Sequence, residues 1–267
     1  LLAPLMNKKQ ISLKAMLQIT RKEVLILMIS KQLYTLQFKT KQNFEDNLTY
    51  LKNLILECES DSIILAPEVS LTNFCYQRME EAGEFAKTAT ETLLKLSGEK
   101  TIIITMIEKY KDGFYNNLKV FHNGELLHKQ SKHKLFPLGN EHLHFQAGNV
   151  EEISPFRIDG IQCGAINCFE LRFIELWQKL KGCDLIFVPA QWAKERKDHF
   201  QTLTKALAIT TQSFVMASNS KNDSMGGGSA IITPFGYVTQ DDSKEIINLK
   251  ANFNDVAKVR KFIDIGL

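Results

Sequence analysis

The chain of 267 residues carries 33 Lys and Arg against 30 Asp and Glu, a formal charge of +3 that is too slight for a nucleic-acid-binding surface. Its 44% hydrophobic and 24% charged residues are those of an ordinary globular chain, which excludes global disorder, and 14 Gly with 6 Pro exclude collagenous or low-complexity character. At roughly 150 residues per domain, the length allows one large α/β domain or two small ones.

Residues 1–27 are rich in Lys, Leu, Gln and Met and lack turn chemistry. They read as an N-terminal extension ahead of a single domain over residues 28–267, with Met28 placed to start it. The apolar run Val24–Ile29 is six residues long. A bilayer span needs about 20 and a signal-peptide core about 7–15, so no membrane association is expected. Five cysteines (Cys58, Cys75, Cys163, Cys168, Cys183) with no CxxC spacing point to free thiols in a reducing, cytoplasmic compartment and to no metal site.

From Leu33 the pattern becomes regular. Leu33–Phe38 alternates apolar and polar residues, which predicts a strand, and Asn43 is placed to cap a helix carrying Phe44, Leu48, Leu51, Leu54, Ile55 and Cys58 on one face. Ser62–Ala66 predicts a short buried strand stopped by Pro67, Met79–Leu96 a helix and Thr101–Ile107 a buried strand. Leu118–Phe121 and Leu126–Lys129 flank Asn123-Gly124, a strong hairpin signal. The second half repeats the logic: strand Ile161–Ile166, helix Arg172–Lys181, strand Asp184–Val188, helix Lys197–Thr211, then strands at Ser213–Ser218, Gly228–Thr233 and Glu245–Leu249 around a Pro234-Phe235-Gly236 turn. Two halves with this alternation imply two mixed sheets with helices outside. Gly226-Gly227-Gly228 precedes a strand rather than a helix, so neither a P-loop nor a dinucleotide fingerprint is present.

Three reactive side chains fall just past apolar strands, where α/β proteins gather their sites. Glu68 follows Ala66-Pro67 and is either a poorly hydrated carboxylate suited to proton transfer or an exposed loop acid. Cys168 sits where a strand gives way to a helix, whose N-terminal N–H groups lower a thiol pKa; the alternative is a small core residue. Lys132, two residues before Lys134, shares a strand face with it if the hairpin continues; a solvated edge is the alternative. Together, thiol, carboxylate and ammonium make a complete set for acyl transfer.

The order Glu, Lys, Cys and the surrounding residues resemble the nitrilase (carbon–nitrogen hydrolase) superfamily. The resemblance rests on Ile64-Leu65-Ala66-Pro67-Glu68, on Lys132-His133-Lys134-Leu135-Phe136, and on Cys168-Phe169-Glu170-Leu171-Arg172-Phe173-Ile174-Glu175-Leu176. Glu141 with Phe145 and Gly148, Pro189-Ala190-Gln191-Trp192 and Gly227-Gly228-Ser229 extend it. Phe169 and Ile174 depart from the common Tyr and Pro, and Leu207 and Thr210 stand where many relatives have Arg and Glu.

The resemblance implies an αββα four-layer sandwich, a homodimer or higher homo-oligomer, and cofactor-free hydrolysis of a small amide through a Cys168 thioester. Glu68 would be the base, Lys132 and the Phe169 N–H the oxyanion donors, and Glu141 a support for Lys132 or the substrate. Phe169 and Trp192 would line the pocket. Arg172 is placed either to pair with a substrate carboxylate or to hold its own helix. Rival readings are a ureido or N-carbamoyl hydrolase on the same triad, a Cys–His hydrolase using His133, His144 or His199, and a catalytically idle binding protein.

Overall fold

The computed structural model describes residues 30–266; the extension read over residues 1–27 lies outside them. Twelve strands and six α-helices follow one another among the described residues. The first sheet takes β1 (Ser30–Leu36), β2 (Ser62–Leu65), β3 (Lys100–Tyr110), β4 (Gly113–His122), β5 (Glu125–Ser131) and β12 (Ile246–Asn252), in the spatial order β12-β1-β2-β3-β4-β5. The second takes β6 (Phe156–Ile158), β7 (Ile161–Ala165), β8 (Leu185–Ala190), β9 (Phe214–Asn219), β10 (Ala230–Ile232) and β11 (Val238–Gln240), in the order β11-β10-β9-β8-β7-β6.

In each sheet three central strands run parallel: β1, β2 and β3 in one, β7, β8 and β9 in the other. Parallel neighbours require crossovers. Helices α1 (Phe44–Glu57) and α2 (Met79–Leu96) supply them in the first half. In the second half they are a short α4 (Ile174–Lys179) and α5 (Lys197–Thr211). Asn43 accepts the Asp46 N–H at 2.8 Å and so starts α1 where the sequence placed the cap.

The strand side chains explain the layering. Leu33, Ile63, Leu65 and Ile103 point between the sheets, towards Leu185, Phe187 and Met216. Their neighbours Tyr34, Ile64, Ile102 and Ile104 point outwards under α1 and α2. Ile186 and Val188 likewise pack under α5 with Phe200 and Leu207. A strand buried on both faces reads as an unbroken apolar run, as SIIL and TIII do. The result is the expected αββα four-layer sandwich, and truncating one of these residues, such as Ile103→Ala, would cost about 2–5 kcal/mol.

Two expectations needed correction, and four elements had not been expected. The helix expected over Arg172–Lys181 is split: a 3₁₀ turn spans Cys168–Arg172, Phe173 is extended (φ −107°, ψ 100°), and α4 begins at Ile174. The Glu170 side chain causes this locally, because its Oε2 takes the Asn167 N–H at 2.6 Å and tightens the turn. The hairpin strand ends at Ser131, so Lys132 and Lys134 do not share a strand face. Unannounced by any pattern, β6, β11, α3 (Glu141–His144) and α6 (Asn254–Phe262) complete the fold. Among the described residues, no helix is long and apolar enough to cross a membrane.

Candidate active site

The ends of β2 and β8 meet across the sandwich. The Glu68 N–H donates to Ala190 O at 3.3 Å, and Gln191 Nε2 donates to Glu68 O at 2.8 Å. Pro67 ends β2 and turns the chain, so Glu68 drops into the seam between the sheets rather than into solvent, and it is 0% exposed. The loop alternative for Glu68 is therefore excluded.

Lys132 arrives from the other side. Its N–H extends the β4–β5 ladder by one bond, to Asn116 O at 2.9 Å, and its C=O accepts the Gly148 N–H at 2.9 Å. Nζ then lies 2.7 Å from Glu68 Oε1 and 2.8 Å from Glu141 Oε1, with Lys132 and Glu141 both buried. Glu141 reaches in from α3, and its second oxygen accepts the Phe136 N–H at 3.0 Å. Burial alone lowers a lysine pKa, yet the two carboxylates more than offset it and hold the Lys132 ammonium charged well above the usual range. Burial raises Glu141, partly opposed by Lys132. Lys134 stays half-buried outside the site, over the Phe173 ring at 4.9 Å and 3.6 Å from Glu175.

Cys168 opens the 3₁₀ turn after β7 with φ +52°, a left-handed backbone, and Val69 beside Glu68 has φ +39°. Such strain in non-glycine residues gathers where a side chain must be aimed. The Cys168 Sγ accepts the Gln191 N–H at 3.4 Å. The expectation that a helix N-terminus would lower this thiol is overturned. Burial and the Glu68 charge push it well above the ordinary range, against the pull of Lys132. The turn is too short to carry a helix dipole, and the thiol is almost fully withdrawn from water. That shift favours the neutral thiol.

Sequence reasoning gave no role to four polar residues that tie these groups together, although Glu170 and Gln191 stand in the segments that carry the resemblance. Asn116 Nδ2 donates to Glu68 Oε1 at 2.9 Å, and Asn167 Nδ2 donates to Asn116 Oδ1 at 3.3 Å. Glu170 accepts three backbone N–H groups, from Asn167 at 2.6 Å, His133 at 2.7 Å and Lys134 at 3.3 Å, and so joins the lysine loop to the cysteine loop. Burial raises the Glu170 carboxyl, and the N–H donors oppose it. Gln191 bridges Cys168 and Glu68, as described. An Asn-Asn pair inside the long strand β4 was a readable signal, since asparagine is depleted from strands.

A small pocket opens over Cys168, lined by Phe136, Phe169, Arg172, Gln191, Trp192 and Arg196. Phe169 packs on Phe136 with ring centroids 4.9 Å apart. Arg172 lies over the Trp192 ring at 4.5 Å and contacts His199 Nδ1 at 3.1 Å; Arg196 lies over Phe136 at 5.6 Å. Among the described residues, neither arginine has a carboxylate within ion-pair distance, so Arg172 does not hold its own helix through a salt bridge. His133 bonds Gly148 O at 2.8 Å, and His144 stacks on Tyr76. No histidine hydrogen-bonds to Cys168 among the described residues, which removes the geometric basis for a Cys–His hydrolase. No cluster of metal-ligating side chains occurs among them.

Residues 32–261 match the carbon–nitrogen hydrolase family. Among curated proteins, the 2-oxoglutaramate amidase of Bacillus subtilis is 27% identical over 222 residues, covering 78% of this chain and 85% of its own. Among solved structures, Saccharomyces cerevisiae Nit3, of branch 10 of the nitrilase superfamily, superposes with a TM-score of 0.79 at 20% identity over 91% of this chain and 97% of its own. A Nesterenkonia amidase, captured with an acetamide moiety covalently added at its active-site cysteine, gives 0.75 at 16% identity over 87% of this chain and 96% of its own. The chain belongs to the carbon–nitrogen hydrolase family and is a hydrolase of that family.

Proposed function

We propose that the protein hydrolyses the primary amide of a small carboxylate-bearing molecule through a thioester on Cys168. The observation that carries this reading is the sealed contact of Glu68, Lys132 and Glu141 beside a buried thiol at the foot of a pocket rimmed by two arginines that have no carboxylate partner among the described residues.

The thiol proton passes to Glu68 as Sγ adds to the amide carbon. The Lys132 ammonium and the Phe169 backbone N–H hold the oxyanion, in a water-poor site where such donors are most effective. Glu68 then returns the proton to nitrogen, the C–N bond breaks and ammonia leaves. Water attacks the thioester, giving one proton to Glu68; the C–S bond breaks, and that proton restores the Cys168 thiol. Glu141 takes no proton in this cycle. It holds Lys132 from the side opposite Glu68 and fixes where the ammonium points. Arg172 and Arg196 bind the substrate carboxylate, and Phe169 and Trp192 wall the pocket. The B. subtilis relative's name, an amidase of an oxo-acid amide, agrees with this charge pattern.

The test is an ammonia-release screen over short amides with and without a free carboxylate, alongside N-carbamoyl compounds, with released CO2 scored in parallel. Ammonia without CO2, strongest for carboxylate-bearing amides, is expected. CO2 release with ammonia from carbamoyl compounds alone would reassign the protein as a ureido hydrolase. No turnover of any of them would favour an idle binding protein.

A further inference from the structure

We infer that Asn167, the residue immediately before Cys168, determines specificity by reading the substrate's carboxamide nitrogen together with Glu68 Oε2. This inference rests on the amide-hydrolase reading above.

Two buried acceptors of the site make no hydrogen bond of normal geometry among the described residues, Glu68 Oε2 and Asn167 Oδ1, the latter facing the Glu170 N–H only in a loose capping arrangement. Both side chains are buried, at 0% and 1% exposure. Buried acceptors are satisfied almost everywhere in folded proteins, so two in one site need a reason.

The orientation of Asn167 follows from a chain of obligatory choices. A carboxylate only accepts, so Asn116 must turn its NH2 towards Glu68 Oε1, 2.9 Å away. That leaves Asn116 Oδ1 as an acceptor, and it takes Asn167 Nδ2 at 3.3 Å. Reversing either amide would set oxygen against oxygen. Asn167 Oδ1 is therefore the atom left over, and Glu170, holding the Asn167 N–H at 2.6 Å, keeps the residue in place beside the nucleophile.

The acceptors match a particular ligand. A primary carboxamide offers two N–H donors on one nitrogen. One meets Glu68 Oε2, the atom that later protonates this nitrogen, and the other meets Asn167 Oδ1. An ester of the same acid offers no N–H and leaves both acceptors unpaired. Sites built to hydrogen-bond a group reject analogues that lack it far more strongly than apolar pockets reject a size change.

The experiment compares kcat/KM for a primary amide and the methyl ester of the same acid, in wild-type enzyme and in Asn167→Ala and Asn167→Leu. Both substrates form the same thioester, so the comparison isolates acylation, and the amide-to-ester ratio does not depend on the fraction of variant that folds. The amide value should fall at least roughly 30-fold and the ester value less than about 3-fold. Equal losses on both substrates would show that Asn167 only supports the loop and would overturn the inference. Should both variants fail to fold, wild-type enzyme supplies the readout through acid release from the primary, N-methyl and N,N-dimethyl amides. A stepwise fall is expected, and equal rates for the primary and dimethyl amides would overturn the inference. Wild-type enzyme that hydrolyses no amide at all would defeat the amide-hydrolase reading itself, and the inference with it.

Discussion

Glu68 gives Lys132 only one of its two carboxylate oxygens: Oε1 accepts from Nζ at 2.7 Å, while Oε2 has no partner among the described residues. One oxygen is anchored to the ammonium, and in the mechanism proposed above the other carries the proton traffic of the thiol.

The two lysines should therefore behave very differently. Lys132→Ala removes an oxyanion donor and leaves Glu68 and Glu141 facing each other, so kcat should drop at least about 100-fold and stability by roughly 3–5 kcal/mol. Lys134→Ala removes a half-buried side chain outside the site and should change kcat by less than about 3-fold, as surface changes generally do. Steady-state kinetics with thermal melts would check both, and a larger loss from Lys134→Ala would reverse their assignment.

Cys168→Ala should abolish turnover, by several orders of magnitude, with a melting temperature near that of the parent. Cys58→Ala, Cys163→Ala and Cys183→Ala should instead cost about 1–3 kcal/mol each while the chemistry survives, because those thiols are core atoms. Retention of more than a few per cent of activity by Cys168→Ala would sink the thioester mechanism.

Alkali should unfold the protein through its buried thiols. Burial pushes Cys58 and Cys183 up to about 12 each, and Cys163 well above the ordinary range. Because the folded values exceed the unfolded ones, the stability from keeping these thiols neutral is complete below the unfolded thiol value of about 8.5 and is lost as pH rises towards the folded values. The melting temperature should be flat between about pH 7 and 8.5 and fall beyond about pH 9, with a shallower fall in Cys58→Ala. An unchanged melting temperature at pH 10.5 would contradict the burial of these groups.

Arg172→Ala should raise KM for carboxylate-bearing amides by roughly 10- to 100-fold, equivalent to about 1.4–2.8 kcal/mol, and leave neutral amides within about 3-fold. A uniform change in both substrate classes would mean that Arg172 shapes the pocket through its contact with Trp192 rather than binding charge.

Gly148 is expected to be irreplaceable. A Cβ added there would come within 2.3 Å of Ser131 O, a backbone atom that cannot swing aside. Gly148→Ala should cost at least about 1–3 kcal/mol and also lower kcat, because the Gly148 N–H holds the Lys132 carbonyl. Normal kcat in a destabilised variant would uncouple that contact from the position of Lys132.

By itself the sequence determined the layers and the order of the chemistry. Doubly buried strands such as SIIL and TIII leave an apolar run that no surface element shows, the Asn43 cap and the Asn123-Gly124 turn set local boundaries, and Pro67 and Pro189 mark strand ends where loops converge. These are short-range signals, so a linear reading carries them. Tertiary structure alone decided how the groups interact. The pairing of β4 with β5 put Asn116 beside Lys132, residues 16 positions apart, and the seam between β2 and β8 set Gln191 against both Glu68 and Cys168. Burial reversed the expected direction of the Cys168 shift, because withdrawal from water and a neighbouring carboxylate outweigh the few N–H groups of a single 3₁₀ turn. Asn167 and Glu170 read as unremarkable polar residues in the linear chain. Their importance arises only where folding excludes water and leaves each buried donor and acceptor to be matched by another group.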